Sequence, residues 1–272
     1  EVGRLTINAG ARLINNNYIA NFGVINNNGI IKGNGELQQS GTLNGNAPLT
    51  EDEAVLDDFL SAVAAAEQTG DNVFVDSPIT LTKDLTIGMT GVLSFAPFTQ
   101  LTIPSGVTLT VNGPISFNEA QLVVEAGGTL IHNDNLTISD TMGGGGKATV
   151  NGTVISNGTV WIVNGASMDI NGTLNIQPSA KMYVYSNVSG NGIWNNAGTI
   201  RFGAQHSANG TDVYVGNADT FIGEYIHSSD AVLEVELFDG YPIGVNLIGS
   251  NAQILVYEGS DPDSIYTAAR NA

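Results

Sequence analysis

The chain has 272 residues, 42% of them hydrophobic and only 12% charged, a balance too apolar for a disordered polymer and sufficient for a sizeable core. Its formal net charge of −18 describes a surface that repels phosphate backbones and anionic lipid headgroups, which sets nucleic acid and membrane-surface partners aside. The absence of cysteine removes disulfide scaffolds and thiolate chemistry, and no apolar run reaches the roughly 18–20 residues that span a bilayer.

An opening at Glu1 rather than Met fits a processed mature form or a fragment. Residues 1–48 repeat every six positions. Ile7, Leu13, Ile19, Ile25, Ile31, Leu37 and Leu43 follow one another at that step, as do Gly23, Gly29, Gly35 and Gly41, and Asn15, Asn21 and Asn27 stand two places after an apolar residue. Six is too long for strand alternation and fits no helix. It suits one side of a solenoid, in which a short strand points one large residue inward and Asn or Gly turns the corner.

Residues 49–70 predict a helix. Thr50 and Glu53 form a capping box, Glu51 and Asp52 place negative charge at the positive end of the helix dipole, and Val55, Leu56, Phe59, Leu60 and Val63 make one apolar stripe before Gly70 stops it. From 71 to 210 strands resume as apolar-x-apolar triplets: Leu101/Ile103, Leu109/Val111, Ile115/Phe117, Leu122/Val124 and Leu136/Ile138 among them. Leu101 to Leu122, Leu109 to Leu130 and Ile115 to Leu136 each span 21 residues, and Val160 to Met182 spans 22. Such a period predicts an all-β fold, a parallel β-helix with one capping α-helix. In 211–272 the Asn-Gly turns thin out and longer strands are expected at 212–215, 232–238 and 253–257, forming either a C-terminal β cap or an assembly module.

The stretch FLSAVAAAEQTGDNVFVDSPITLTKDLTI resembles the opening of pectin-lyase-like right-handed parallel β-helix proteins, and IANFGVINNNGIIKGNGEL is similar to the Asn/Gly hexads of adhesin-like surface proteins and autotransporter passengers. The resemblance implies that the helix closes the bottom of the solenoid. Here some 48 residues of repeat precede it, so the first segment either forms a second solenoid in tandem or docks on another copy. Ile7, Leu13, Ile19, Ile25 and Ile31 are the residues that would carry such an assembly role.

No catalytic constellation emerges. The basic residues Arg4, Arg12, Lys32, Lys83, Lys147, Lys181, Arg201 and Arg270 stand apart from paired acids at repeat spacing, and the acids gather in the helix and the tail. His132, His206 and His227 lack metal-ligand spacing and read as surface or loop residues; no metal and no cofactor is called for. Asp261 and Asp263 offer hard oxygens to Ca²⁺ without the rest of a loop. The sequence GGGG at 143–146 lacks the lysine and helix of a phosphate loop. One surface feature is more specific. With Met182 and Val184 inward, Tyr183 and Tyr185 face out, and Trp161 takes the same phase one coil earlier, so the three make an aromatic face for glycans or lateral contacts, or for cover by another segment. The expectation is a non-enzymatic, self-assembling extracellular or cell-surface protein (fibre, sheath, surface layer or adhesin stalk) whose partners are itself and surface glycans; the alternatives are a glycan-binding adhesin and, behind it, a polysaccharide lyase or hydrolase.

Overall fold

The computed structural model describes residues 3–206, 212–218, 220–236 and 254–257, and shows a parallel β-solenoid of about 9 turns with a single helix. Asp261 and Asp263, the two acids that offer hard oxygens to Ca²⁺, lie outside the described residues. The chain divides into two compact units, residues 1–61 and 62–272.

In the first unit the hexad closes into a triangle. Strands Arg12–Ile14 and Ile30–Lys32 pair with Leu13 against Ile31, strands Tyr18–Asn21 and Glu36–Gln39 with Ile19 against Leu37, and strands Val24–Asn27 and Thr42–Gly45 with Ile25 against Leu43. Each of these partners is 18 residues on, so three hexads make one coil. Ile7, Ile25 and Ile31 are buried at the centre, and Leu13, Leu37 and Leu43 pack against them. The inner residue of each hexad is apolar because a three-sided coil has space for one large side chain per side.

The corners are held by asparagine. The Oδ1 of Asn15, Asn21 and Asn27 accepts the backbone N–H two residues on, at 3.2, 3.0 and 3.1 Å. Their Nδ2 groups donate to the carbonyls of Glu36, Thr42 and Asn46 on the following coil, at 3.0, 3.1 and 2.8 Å. One side chain thus closes its own turn and ties it to the next, which is why Asn recurs at a buried corner where other polar residues would leave an unmet donor or acceptor.

Helix α1 runs over Glu51–Thr69. Its capping box is formed: the Thr50 N–H donates to Glu53 Oε2 at 2.8 Å, and the Glu53 N–H donates to Thr50 Oγ1 at 3.3 Å. Of the predicted stripe, Phe59 and Val63 are buried, while Val55, Leu56 and Leu60 are half-buried. Gly70 adopts φ +77° and its N–H returns to the Ala66 carbonyl at 2.7 Å, ending the helix as expected.

The second unit stacks three parallel sheets of nine, seven and six strands. The nine-stranded sheet runs from Val73–Val75 to Ile254–Tyr257, the seven-stranded from Leu85–Ile87 to Glu224–His227, and the six-stranded from Ile79–Thr80 to Asn187–Ser189. The 21-residue period is the coil: Leu101 pairs with Leu122, Leu109 with Leu130 and Ile115 with Leu136. Helix residue Glu67 joins the first coil, its Oε1 accepting the Gly88 N–H at 2.6 Å. Coils approach so closely at the corners that a Cβ on Gly158 would lie 1.9 Å from the Asp134 carbonyl oxygen, so only glycine fits there. Inside, like stacks on like: Phe95 and Phe117 lie ring on ring at 4.7 Å. Outside, amides form ladders, Asn157 donating to Asn133 and Asn133 to Asn112.

Beyond residue 211 the described strands carry the same stack onward. Trp194 pairs with Tyr225 and Ile200 with Leu233, longer excursions than the coils before them. An antiparallel hairpin, Ala204–His206 with Val213–Val215, fills the first excursion.

Candidate functional site

The aromatic face lies on the outer side of the nine-stranded sheet. Val160, Ile162, Met182 and Val184 are fully buried, so the alternate residues Trp161 and Tyr183 point out, paired in register. Their rings stack at 4.1 Å and 15°, and Tyr185 lies beside them at 6.4 Å from Trp161 and 6.2 Å from Tyr183. Thr137 precedes Trp161 in the column and Arg201 follows Tyr183. Two neighbouring rings in face contact cover one face each, so the column turns its edges to solvent, with the outer faces of Trp161 and Tyr183 directed along the stack. All three aromatics are half-buried. The hairpin braces this region: Gln205 donates to the Asn164 Oδ1, and a Cβ on Gly165 would meet Tyr214 Cε1 at 2.9 Å. Part of the segment beyond residue 211 therefore does reach the corner that follows Trp161.

The proposed assembly residues line the interior of the short solenoid. Ile7, Ile25 and Ile31 are buried in its core, Leu13 packs on them, and Ile19 is half-exposed at the end where the chain begins. That end holds a pocket of about 550 Å³ bordered by Leu5, Ile19 and Phe22.

The helix acids do more than complement a dipole. Asp57 accepts from Arg12 at 3.1 Å and from the Lys32 ammonium at 2.8 Å, and Asp58 pairs with the same ammonium. Burial pushes the Asp57 carboxyl up, and hydrogen bonds from Lys32 and Arg12 with their positive charge more than reverse this, holding it below the usual carboxylate range. Burial alone would lower Lys32; the two aspartates raise it instead. This cluster fastens the first half of the helix to the first unit. Sequence spacing gave no sign of it, because the partners are 25 to 45 residues apart.

The expectation of surface or loop histidines requires correction at His132. His132 is fully buried, with Nδ1 3.2 Å from the Asp134 carbonyl and Nε2 without a partner. A carbonyl only accepts, so Nδ1 carries the proton. Burial pulls this histidine down to about 4. The signal was present in the strand: Leu130 points inward, and His132, two residues later, shares its phase. His227 is also placed, its Nδ1 3.0 Å from the Tyr225 hydroxyl and Nε2 3.1 Å from the Ala231 carbonyl, while His206 is exposed.

Two acids stand out. Glu119 is buried at φ +58°, accepting from the Thr141 hydroxyl at 2.8 Å beneath the tetraglycine loop. Asp169 pairs with Lys147 and accepts from Ser189; burial raises its carboxyl and these partners bring it below the ordinary range. Among the described residues no group of three or more His, Cys, Asp or Glu is placed to hold a metal ion. No helix among them is long and apolar enough to cross a membrane.

No protein-family model matches the chain, and no curated protein or solved structure does either. The likeness to β-helix proteins is thus one of architecture, carried by the parallel coils themselves. What these residues can do chemically follows from their own geometry: they stack, they donate and accept along ladders, and they pair charges at fixed corners.

Proposed function

We propose that the chain is a non-enzymatic, self-assembling structural protein of an extracellular or cell-surface layer. The observation that carries this reading is the repetition itself. Buried apolar columns, asparagine corners and outward amide ladders recur coil upon coil, so each rung supports the next and the product is a stiff body. Two of the partly buried acids are engaged in fastening, Asp57 on Lys32 and Asp169 on Lys147. The Asn/Gly hexads, similar to those of adhesin-like surface proteins, agree with a place outside the cell. Electron microscopy of the purified protein tests the reading. Filaments or sheets are expected, and uniformly dispersed particles would sink it.

A second reading, a glycan-binding adhesin, is favoured by the half-buried aromatics Trp161, Tyr183 and Tyr185 on one outer face. Polysaccharide pull-down by the wild type, lost in a Trp161→Ala plus Tyr183→Ala variant, is its expected signature.

A further inference from the structure

The outer face of the seven-stranded sheet differs from its two neighbours in charge. Its six strands from Leu85–Ile87 to Ile193–Asn196 contain no charged residue, in a chain of net charge −18. The six-stranded sheet carries Lys147 and Asp169 outside, and the nine-stranded sheet Lys181 and Arg201. On the uncharged face Thr108, Thr129, Thr153 and Thr173 stand in one column, rung upon rung, and Ile131 and Ile155 stack in the column beside it. Alternation directs them outward, since Leu130 and Val154 between them are fully buried. Asparagine ladders border the face, Asn157 on Asn133 along one side and Asn171 on Asn151 along the other. Acids stand at the rim, where Asp84, Glu125 and Asp134 occupy the corners flanking these strands.

Charge and area indicate what fits there. Two copies brought together across an acidic surface set acid against acid, and across this face they do not. The face also complements itself: amides and hydroxyls both donate and accept, and isoleucines bury one another. Its β-branched Thr and Ile have few χ1 rotamers to lose on contact. Rungs about 4.8 Å apart over six strands, and about 20 Å from Asn151 to Asn157, give roughly 500 Å² per copy and about 1,000 Å² in all, the lower bound for a specific interface.

We infer that this face packs against the same face of a second copy, side by side, about a two-fold axis that sets Ile131 against Ile155 of the second copy. This rests on the self-assembling reading and names a lateral contact for it. The contact is isologous, so by itself it closes at two copies. Its small area makes it weak and reversible, and salt strengthens it by screening the acidic rims.

Sedimentation velocity on the full chain, over a roughly hundredfold range of concentration and at low and high sodium chloride, tests it. Two variants on the face, Ile155→Asp and Thr153→Glu, are compared with Ser116→Glu on the outer face of the nine-stranded sheet, with circular dichroism to confirm folding. The wild type is expected to associate reversibly, and at lower concentration in high salt. Each face variant is expected to raise the concentration needed by about tenfold or more, and Ser116→Glu to change it by less than about twofold. Association unchanged in both face variants overturns the lateral contact and leaves the self-assembling reading standing. Equal weakening by Ser116→Glu traces the effect to general repulsion and overturns the contact in the same way. A wild type that stays monomeric throughout overturns both, assigning the uncharged face to some other occupant.

Discussion

The Lys32 ammonium, on a side chain only 7% exposed, lies 2.8 Å from an Asp57 carboxylate oxygen contributed by the helix that follows the hexads. Removing the acid leaves a buried cation with Asp58 as its remaining partner. Asp57→Ala is expected to destabilise the first unit by about 2–3 kcal/mol, measured by urea unfolding followed through the helical signal. The pH dependence follows from the two directions. Asp57 is lowered, so its contribution is present above its unfolded value of 3.8 and fades as pH falls through the folded one. Lys32 is raised, so its contribution is complete below 10.5 and is lost as pH climbs past its folded value. Asp57→Ala should therefore flatten both limbs of the stability profile.

His132 makes the opposite demand. Its folded value of about 4 lies below the ordinary 6.5, so between those pH values the unfolded chain binds a proton that the folded chain does not. Stability falls as pH drops from 6.5 towards 4, by about 3 kcal/mol from this group. A His132→Leu variant removes the unpartnered Nε2 as well as the titration. Its stability is expected to match or exceed the wild type at pH 5, measured by thermal unfolding, and a variant that keeps the full acid slope would show that other groups cause it.

The coil length was legible because inward residues of adjacent turns pair in register: Leu101, Leu109 and Ile115 meet residues 21 further on, as their spacing implied. The hexad was legible as a side, yet its closure into an 18-residue triangle was not, since a repeat of six does not state how many sides complete a turn. The role of Asp57 was not legible, because pairing with Arg12 and Lys32 depends on tertiary approach, to which local spacing is blind. The inward phase of His132 could be read from Leu130, but a ring flanked in register by Val111 and Ser156 departs from the usual preference of polar groups for water. For the aromatic face, alternation indicated the side of the sheet and the coil spacing indicated the neighbour. Alternation does not carry ring orientation, so the face-to-face contact of Trp161 and Tyr183 appears only in three dimensions.

Asn27 is fully buried and makes both bonds of the corner clip, to the Gly29 N–H and the Asn46 carbonyl. Asn27→Ala strands both partners, and the expected loss is about 2–3 kcal/mol. Asn27→Asp keeps the acceptor for Gly29 but turns a carboxylate oxygen towards the Asn46 carbonyl, so it should cost at least as much at neutral pH and recover in part on acidification. The exposed ladder residue Asn44, which donates to Asn26 at 2.9 Å, serves as the control, with Asn44→Ala expected to change stability by less than about 0.5 kcal/mol. Equal losses at both positions in denaturant titrations would mean that the clip contributes no more than a surface ladder.

The two tryptophans occupy opposite environments, which makes the aromatic column directly observable. Trp194 is fully buried, with Phe221 and Tyr225 edge-on at 5.6 and 5.8 Å, whereas Trp161 is half-buried on the outer face with Tyr183 stacked upon it. Acrylamide should quench a part of the tryptophan emission in the wild type, and Trp161→Phe should remove that accessible part and leave a protected remainder. Because one face of Trp161 is already covered, Tyr183→Ala is expected to increase its quenching, and to lower stability by about 1–2 kcal/mol through lost stacking and burial. The same signal separates the two uses of the column. A sugar settling on the rings would shield Trp161 and reduce quenching in proportion to bound polysaccharide, whereas a purely structural stack would leave it unchanged at every polysaccharide concentration.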